Sequence, residues 1–182
     1  MYLSQDAEDA ALVGRVLAGD MVAFELLVER YQRPLFNVAA RMLGSREDAA
    51  DATQNALVRI YENIRAFDPQ RRFFSWSYRI LVNECLNVLR ARRVTVDAEG
   101  ASLAPAAFEQ VAATERRAAV QRALMELTPE LRAVIVLRHY GALSYEQISE
   151  ALGGVPVKTV KSRLHTARQR LGRKLLGWQE ES

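Results

Sequence analysis

Apolar side chains recur at three- and four-residue steps through Phe24, Leu27, Val28, Tyr31, Leu35, Val38, Ala39 and Met42, the spacing that lines one face of an α-helix. Asp20 stands where such a helix wants an N-cap, and Gly44 where it can stop in a left-handed turn. Ser45 followed by Asp48 resembles a capping box with Asp in the usual Glu/Gln place. It opens a second helix to about Ala66, closed by Asp68-Pro69 because the residue before proline avoids the helical region. A third helix, about 73–93, places Trp76, Ile80, Asn83 and Asn87 on one side. The periodicity then fails. Residues 94–114 are mostly small, with Gly100 and Pro105, and read as a linker. A linker of that length spans at most ~70 Å when extended, roughly 20 base pairs at the 3.4 Å step of duplex DNA.

Helical pattern resumes at Glu115, breaks at Thr128-Pro129 and continues to His139. The expected fold class is all-α: an N-terminal helical domain over 1–93, a flexible linker over 94–114 and a C-terminal helical domain over 115–182. Each domain is small and buries a modest core, so coupling to a larger partner is expected.

The most specific local pattern is a helix-turn-helix over 144–152 and 158–173. Ser144 can cap the first helix, with Gln147 as its reciprocal partner, and Gly153-Gly154 ends it. In the second helix Val160, Leu164, Ala167 and Leu171 form an apolar stripe. At 100° per residue the opposite side presents Lys158, Ser162, His165, Thr166, Gln169 and Arg173, with Lys161 and Arg168 on one flank and Arg163 and Arg170 on the other. A short helix, a glycine turn and a basic second helix are what insertion into a major groove requires. Its outer face mixes groups able to read base edges with cations able to hold phosphates. An amphipathic hairpin with an ordinary charged face is the competing reading.

Charge distribution separates the two. The formal net charge is only +3, yet residues 155–176 carry seven Lys/Arg and no acid, and residues 65–93 carry seven against two acids. Residues 1–64 are acidic, with ten acids against six cations. Positive charge concentrated at two places predicts polyanion binding at two places. In the first of them, Arg71-Arg72-Phe73-Phe74-Ser75-Trp76-Ser77-Tyr78-Arg79 interleaves cations with aromatic rings on which unpaired bases stack. Trp76 alone also fits a core position. Asn83 and Asn87 lie one turn apart and point the same way, with Arg90 beyond them, so base or phosphate contact suits both amides.

Several classes fall away. No apolar run approaches the ~20 residues needed to cross a bilayer, and residues 1–9 lack the basic stretch of a signal peptide. The single cysteine, Cys85, excludes an internal disulfide and fits a reducing compartment. With two histidines and no second cysteine, no metal site is expected. No phosphate-cradling glycine loop or catalytic triad is present, so no cofactor, small-molecule substrate or enzymatic activity is expected. The cytoplasm is the expected location.

At this point the residues match a family. The stretch Phe73-x-x-Trp76-x-Tyr78-Arg79-Ile80-x-x-Asn83 resembles the promoter-melting segment of the extracytoplasmic-function (ECF) sigma factors of bacterial RNA polymerase. Asp48-x-x-Asp51-x-x-Gln54-x-x-Leu57 resembles the segment before it, and Leu127-Thr128-Pro129-x-x-Arg132 with Thr159-Val160-Lys161-Ser162-Arg163-Leu164 resembles the C-terminal domain. The likeness covers nearly the whole chain outside linker and tails, in the right order. It implies that Asp48, Asp51, Gln54 and Leu57 meet the clamp helices of core RNA polymerase. It further implies that Arg71, Arg72, Trp76, Tyr78, Asn83, Asn87 and Arg90 serve the minus-ten element of promoter DNA. Lys158, Lys161, Ser162, His165, Thr166 and Gln169 would then serve the minus-thirty-five element. Members of the family are commonly held inactive by an anti-sigma factor, so such a partner is implied here too. Three departures stand out: a turn one residue longer at 153–157, Lys158 in place of a frequent glycine, and Asn55 where an acid often stands.

Two other classes compete on the residues alone. An autonomous helix-turn-helix regulator would be expected to dimerise on paired half-sites, and no heptad seam is present here. A helical adaptor that binds only protein would leave both cationic clusters without a purpose.

Overall fold

The computed structural model describes residues 2–68, 71–99 and 113–180, with side chains over 6–68, 71–93 and 115–175. Most of the expected linker, 100–112, lies outside the described residues. Among those described, every regular element is helical.

Helix α1 (Tyr2–Leu17) is an element the periodicity did not announce. It docks Leu12, Val13 and Val16 on the body and buries Asp9, 1% exposed, against the next helix. Asp9 accepts hydrogen bonds from the Tyr31 hydroxyl and from Arg30 at 2.5 Å, and Glu8 pairs with the same guanidinium at 3.1 Å. Burial pushes the Asp9 carboxyl above the usual carboxylate range despite those donors.

Helix α2 (Met21–Leu43) buries Ala23, Leu27, Tyr31, Leu35, Val38, Ala39 and Met42, close to the stripe read from the sequence. Asp20 caps it by accepting from Ala23 N, and Gly44, at φ 71°, ends it. Helix α3 (Arg46–Asn63) turns only small or short side chains, Ala49, Ala52, Thr53 and Ala56, and then Ile60 inward, which lets α2 approach closely. The Ser45 hydroxyl oxygen caps α3 by accepting from Asp48 N at 3.2 Å. The Asp48 carboxylate is instead engaged in an ion pair with Arg92, which explains why Asp48 serves that pairing here. A short 3-10 turn, Ile64–Ala66, follows.

Helix α4 (Phe73–Glu99) is longer than expected and continues through positions 94–99 that the sequence had assigned to the linker. The C-terminal half consists of α5 (Ala113–Met125), α6 (Pro129–His139), α7 (Tyr145–Ala151) and α8 (Val157–Glu180). Residues 131–137 of α6 are buried all round, because α8 covers one side while α2 and α4 of the N-terminal half approach the others. The two halves therefore share one continuous hydrophobic core, whereas the sequence had suggested two modest separate ones. Arg132 sits inside it at 5% exposure, and desolvation, helped by nearby Arg92, pushes its guanidinium down to about 10.

Candidate nucleic-acid interface

The helix-turn-helix assembles as its residues dictate. The Ser144 hydroxyl accepts from Gln147 N at 3.1 Å while the Gln147 side chain accepts from Ser144 N at 2.7 Å, so both halves of the capping box form. Helix α7 then gives way to Gly153 at φ 80° and Gly154 at φ 89°. Two successive left-handed residues suit glycine, which lacks the Cβ that disfavours this region. They turn the chain and deliver it to α8, where Val160, Leu164 and Ala167 are buried.

Opposite that stripe, Lys158, Ser162, His165 and Gln169 are exposed and Thr166 is half-buried, with Lys161 exposed on the flank. The Thr166 hydroxyl donates to the Ser162 carbonyl at 3.1 Å. Its proton is thus committed, leaving lone pairs and a methyl group for a partner such as an exocyclic amine or a thymine methyl. Lys161 lies 5.5 Å from the Tyr145 ring centre and Arg138 lies 5.1 Å from it, so one aromatic ring steadies two cations. Lys174, counted with the basic cluster, is tied to Glu126, just past the end of α5. Desolvation, with Arg168 and Arg138 nearby, holds His139 below the ordinary histidine range.

The other basic segment forms a second surface at the start of α4. Asn83 and Asn87 are exposed and line an open notch of about 530 Å³ with Trp76, Ile80 and Arg90. Arg90 donates to the Asn87 side-chain oxygen Oδ1 at 3.2 Å, which leaves the Asn87 side-chain NH2 as the donor half of that amide. Trp76 packs against Phe67 at 5.1 Å and Phe73 at 5.7 Å between ring centres, yet it keeps an edge on the notch. Arg71 and Arg72 are exposed and pair with Asp68 at 3.6 Å and Asp6 at 3.4 Å. Tyr78 is a correction: at 1% exposure, with its ring against Phe74, it belongs to the core and has no face for a base. Sequence reading missed Arg59, Asn63 and Glu84, which complete the notch from α3 and α4. The Arg59–Glu84 pair, 2.8 Å apart, buries the carboxylate. No spacing rule joins residues on different helices, so only the α2–α3–α4 packing reveals them.

The third predicted set divides. Gln54 and Leu57 line a groove of about 540 Å³ between α2 and α3, beside Gln32, Arg33 and Phe36. Asp51 is exposed on the same helix. Asp48 points away toward Arg92, since nine residues at 100° each put it opposite Leu57. Near the far end of the same helix pair, Met21, Val22, Val58 and Tyr61 are large apolar side chains left exposed. Their grouping is visible only in the fold, where the Tyr61 hydroxyl reaches Met21 Sδ at 3.5 Å and the Tyr61 ring lies tilted against Phe24, 4.9 Å between centres.

Comparison with known proteins follows this division closely. Sigma-70 region 2 matches residues 27–95 and Sigma-70 region 4 matches residues 117–171. The ECF RNA polymerase sigma factor SigW of Bacillus subtilis is 32% identical, over 90% of this chain and 94% of its own. SigM of Mycobacterium tuberculosis is 38% identical, over 95% and 87%. The chain belongs to the ECF sigma factor family. ECF sigma factors are promoter-specificity subunits of RNA polymerase, and this one has the region 2 and region 4 modules in their usual order. Among solved structures, CnrH in complex with the cytosolic domain of CnrY is similar, with a TM-score of 0.74 and 27% identity over 93% of this chain and 98% of that one. A co-crystal of the sigma factor RpoE from Bartonella quintana shares the fold at a TM-score of 0.73 and 24% identity. Among the described residues no helix is long and apolar enough to cross a membrane, and no cluster of His, Cys, Asp or Glu is placed to hold a metal.

Proposed function

We propose that this ECF sigma factor reads the minus-thirty-five element with the outer face of α8 and captures an unpaired base of the minus-ten element in the notch of α4. The acid-free outer face of α8, held against its own core by Val160, Leu164 and Ala167, is the observation that carries the reading. Lys158 and Lys161 hold phosphates, while Ser162, His165, Thr166 and Gln169 face base edges. In the notch, Asn83 and Asn87 offer amide groups, Trp76 offers a ring edge, and Arg71, Arg72 and Arg90 hold the backbone of the displaced strand. Trapping unpaired bases offsets the unstacking cost of a few kcal/mol per step. The groove of Gln54 and Leu57, flanked by Asp51 and by the exposed Met21, Val22, Val58 and Tyr61, is the surface for the polymerase.

In this reading the domains run over 1–93 and 115–182, with 94–114 between them. The family matches support it by leaving 96–116 unmatched. The chain contributes binding and positioning, the polymerase does the chemistry, and the site of action is the cytoplasm. A protein partner of the anti-sigma type completes the picture. Members of the family are commonly held inactive that way, and the similar CnrH was solved with the cytosolic domain of CnrY.

Transcription from a randomised promoter library by core polymerase plus the purified chain tests the proposal. The expected outcome is a two-part motif in the transcribed fraction. Output without sequence preference, or none beyond that of core alone, would overturn it.

A further inference from the structure

A carboxylate is the wrong charge for a surface that holds a polyanion, since it repels any phosphate that approaches. Glu84 is nonetheless the acid among the residues lining the notch of α4, together with Arg59 and Asn63 of α3. It is buried, at 8% exposure, where a charge without a partner is strongly disfavoured. Arg59 supplies the partner through Nε, 2.8 Å from Glu84 Oε1, while its own side chain stays more than half exposed. The pair engages one oxygen of the carboxylate. Oε2 is left as an acceptor on the wall of the notch.

The neighbouring amides are set by their own hydrogen bonds. Asn63 donates its side-chain NH2 to the Arg59 carbonyl at 2.8 Å, so its side-chain oxygen is a second acceptor. Asn87, three residues beyond Glu84 and hence its neighbour on the helix surface, accepts from Arg90 at 3.2 Å and keeps its NH2 as a donor. The notch thus sets acceptors beside a donor. Adenine and cytosine carry an exocyclic amine beside an unprotonated ring nitrogen, the complement of that order. Guanine and thymine carry a carbonyl oxygen in the place of that amine, which would set acceptor against acceptor.

We propose that Glu84 is a specificity-determining residue of the notch: its carboxylate accepts from the exocyclic amine of the captured base and restricts that base to adenine or cytosine. The inference rests on the base-capture reading above and names which bases are taken. The same charge disfavours a phosphate inside the notch, which leaves the strand backbone to the exposed Arg71, Arg72 and Arg90. Arg59 is a positioning residue, since it fixes which carboxylate oxygen is spent and which is offered. A base with a carbonyl in place of the amine would face the buried carboxylate with a like acceptor. The mismatch is on the order of one lost base contact, roughly 5- to 150-fold in affinity.

Equilibrium binding of the full chain with core polymerase to forked promoter DNA, built on a promoter selected from the randomised library, tests this. The forks carry each of the four bases in turn at every unpaired minus-ten position, and a fully paired duplex measures the gain from the unpaired strand. At one position the unmutated chain should favour adenine or cytosine over guanine and thymine by roughly tenfold or more. Purine in place of adenine, or the cytosine analogue without its amine, should lose that advantage with no change to the protein. Glu84→Gln keeps the size of the side chain. Its Oε1 takes the Arg59 N–H and turns Nε2, a donor, into the notch, so the preference at that position should invert toward guanine or thymine. A uniform loss for all four bases, as a merely structural Glu84 would give, overturns the proposal. So does an unchanged preference in Glu84→Gln, or full affinity for the base without its amine. If the unpaired strand brings no gain over duplex, base capture itself fails and takes the inference with it; a gain that Glu84→Gln leaves untouched defeats the inference alone.

Discussion

Individual side chains carry different steps of the same process, and substitutions can separate them. Asn87 presents amide donors to the notch, so Asn87→Ala should reduce open-complex formation more than initial promoter binding. Permanganate reactivity of unpaired thymines set against a gel-shift titration measures the two; equal losses would contradict the role. His165→Ala and Thr166→Ala should relax discrimination in the upstream element by ~1–3 kcal/mol per lost base contact. Competition between single-base promoter variants reads this out. Cys85 makes a third case. Burial first, and the neighbouring Glu84 second, push its thiol up to about 12. Since the thiolate is the reactive form, a thiol reagent at pH 8 should leave the folded chain unmodified. It should react fully once urea exposes the residue.

The outer face of α8 was legible from the sequence because one helix carries both the stripe and its opposite, and rotation by 100° relates them. Tyr78 was misread for the converse reason. Its position beside cations suggested a surface role, while the side to which it turns is decided by Phe74 and the helices packed over α4. Arg59, Asn63 and Glu84 had no local pattern to betray them. Of the four polymerase-facing candidates, the three-residue spacing itself carries Asp48 around the helix, half a turn from Leu57.

At the scale of elements, caps and glycine turns were read well because each is decided within four residues. Asp20, Gly44 and Ser144 all act as their positions suggest. The seven-residue α7 is too short to stand without its cap and its packing on α4 and α8. Ser144→Ala should cost the C-terminal domain about 1 kcal/mol, seen as a lower urea midpoint with the slope unchanged. An unaltered midpoint would mean that packing alone holds α7. Helix α1 escaped notice because its buried set is short, Leu12, Val13 and Val16, and its strongest anchor is a buried carboxylate that periodicity cannot weigh.

For the molecule as a whole, the sequence supplied the order of parts and the two basic surfaces, but not their arrangement. Residues 131–137 of α6 are apolar apart from Arg132, a pattern that fits a fully buried helix. What buries its far side is the other domain, which lies across the linker and beyond any local rule. The apolar surface at Met21, Val22, Val58 and Tyr61 is likewise a product of assembly. Val58→Asp, on a half-exposed position, should weaken association with core polymerase by tenfold or more and leave thermal stability nearly unchanged. Fluorescence anisotropy of the labelled chain titrated with core measures the first, and calorimetry the second. Retained affinity would place the polymerase elsewhere.

The end of α2 has a practical corollary for anyone recombining relatives. Joining this N-terminal half to a foreign C-terminal half looks simple, since the crossover falls in a stretch with little pattern of its own. Yet the carbonyls of Arg41 and Met42 take their donors from Gln121 and Arg132. A hybrid lacking those two side chains would inherit both modules and lose the fit between them.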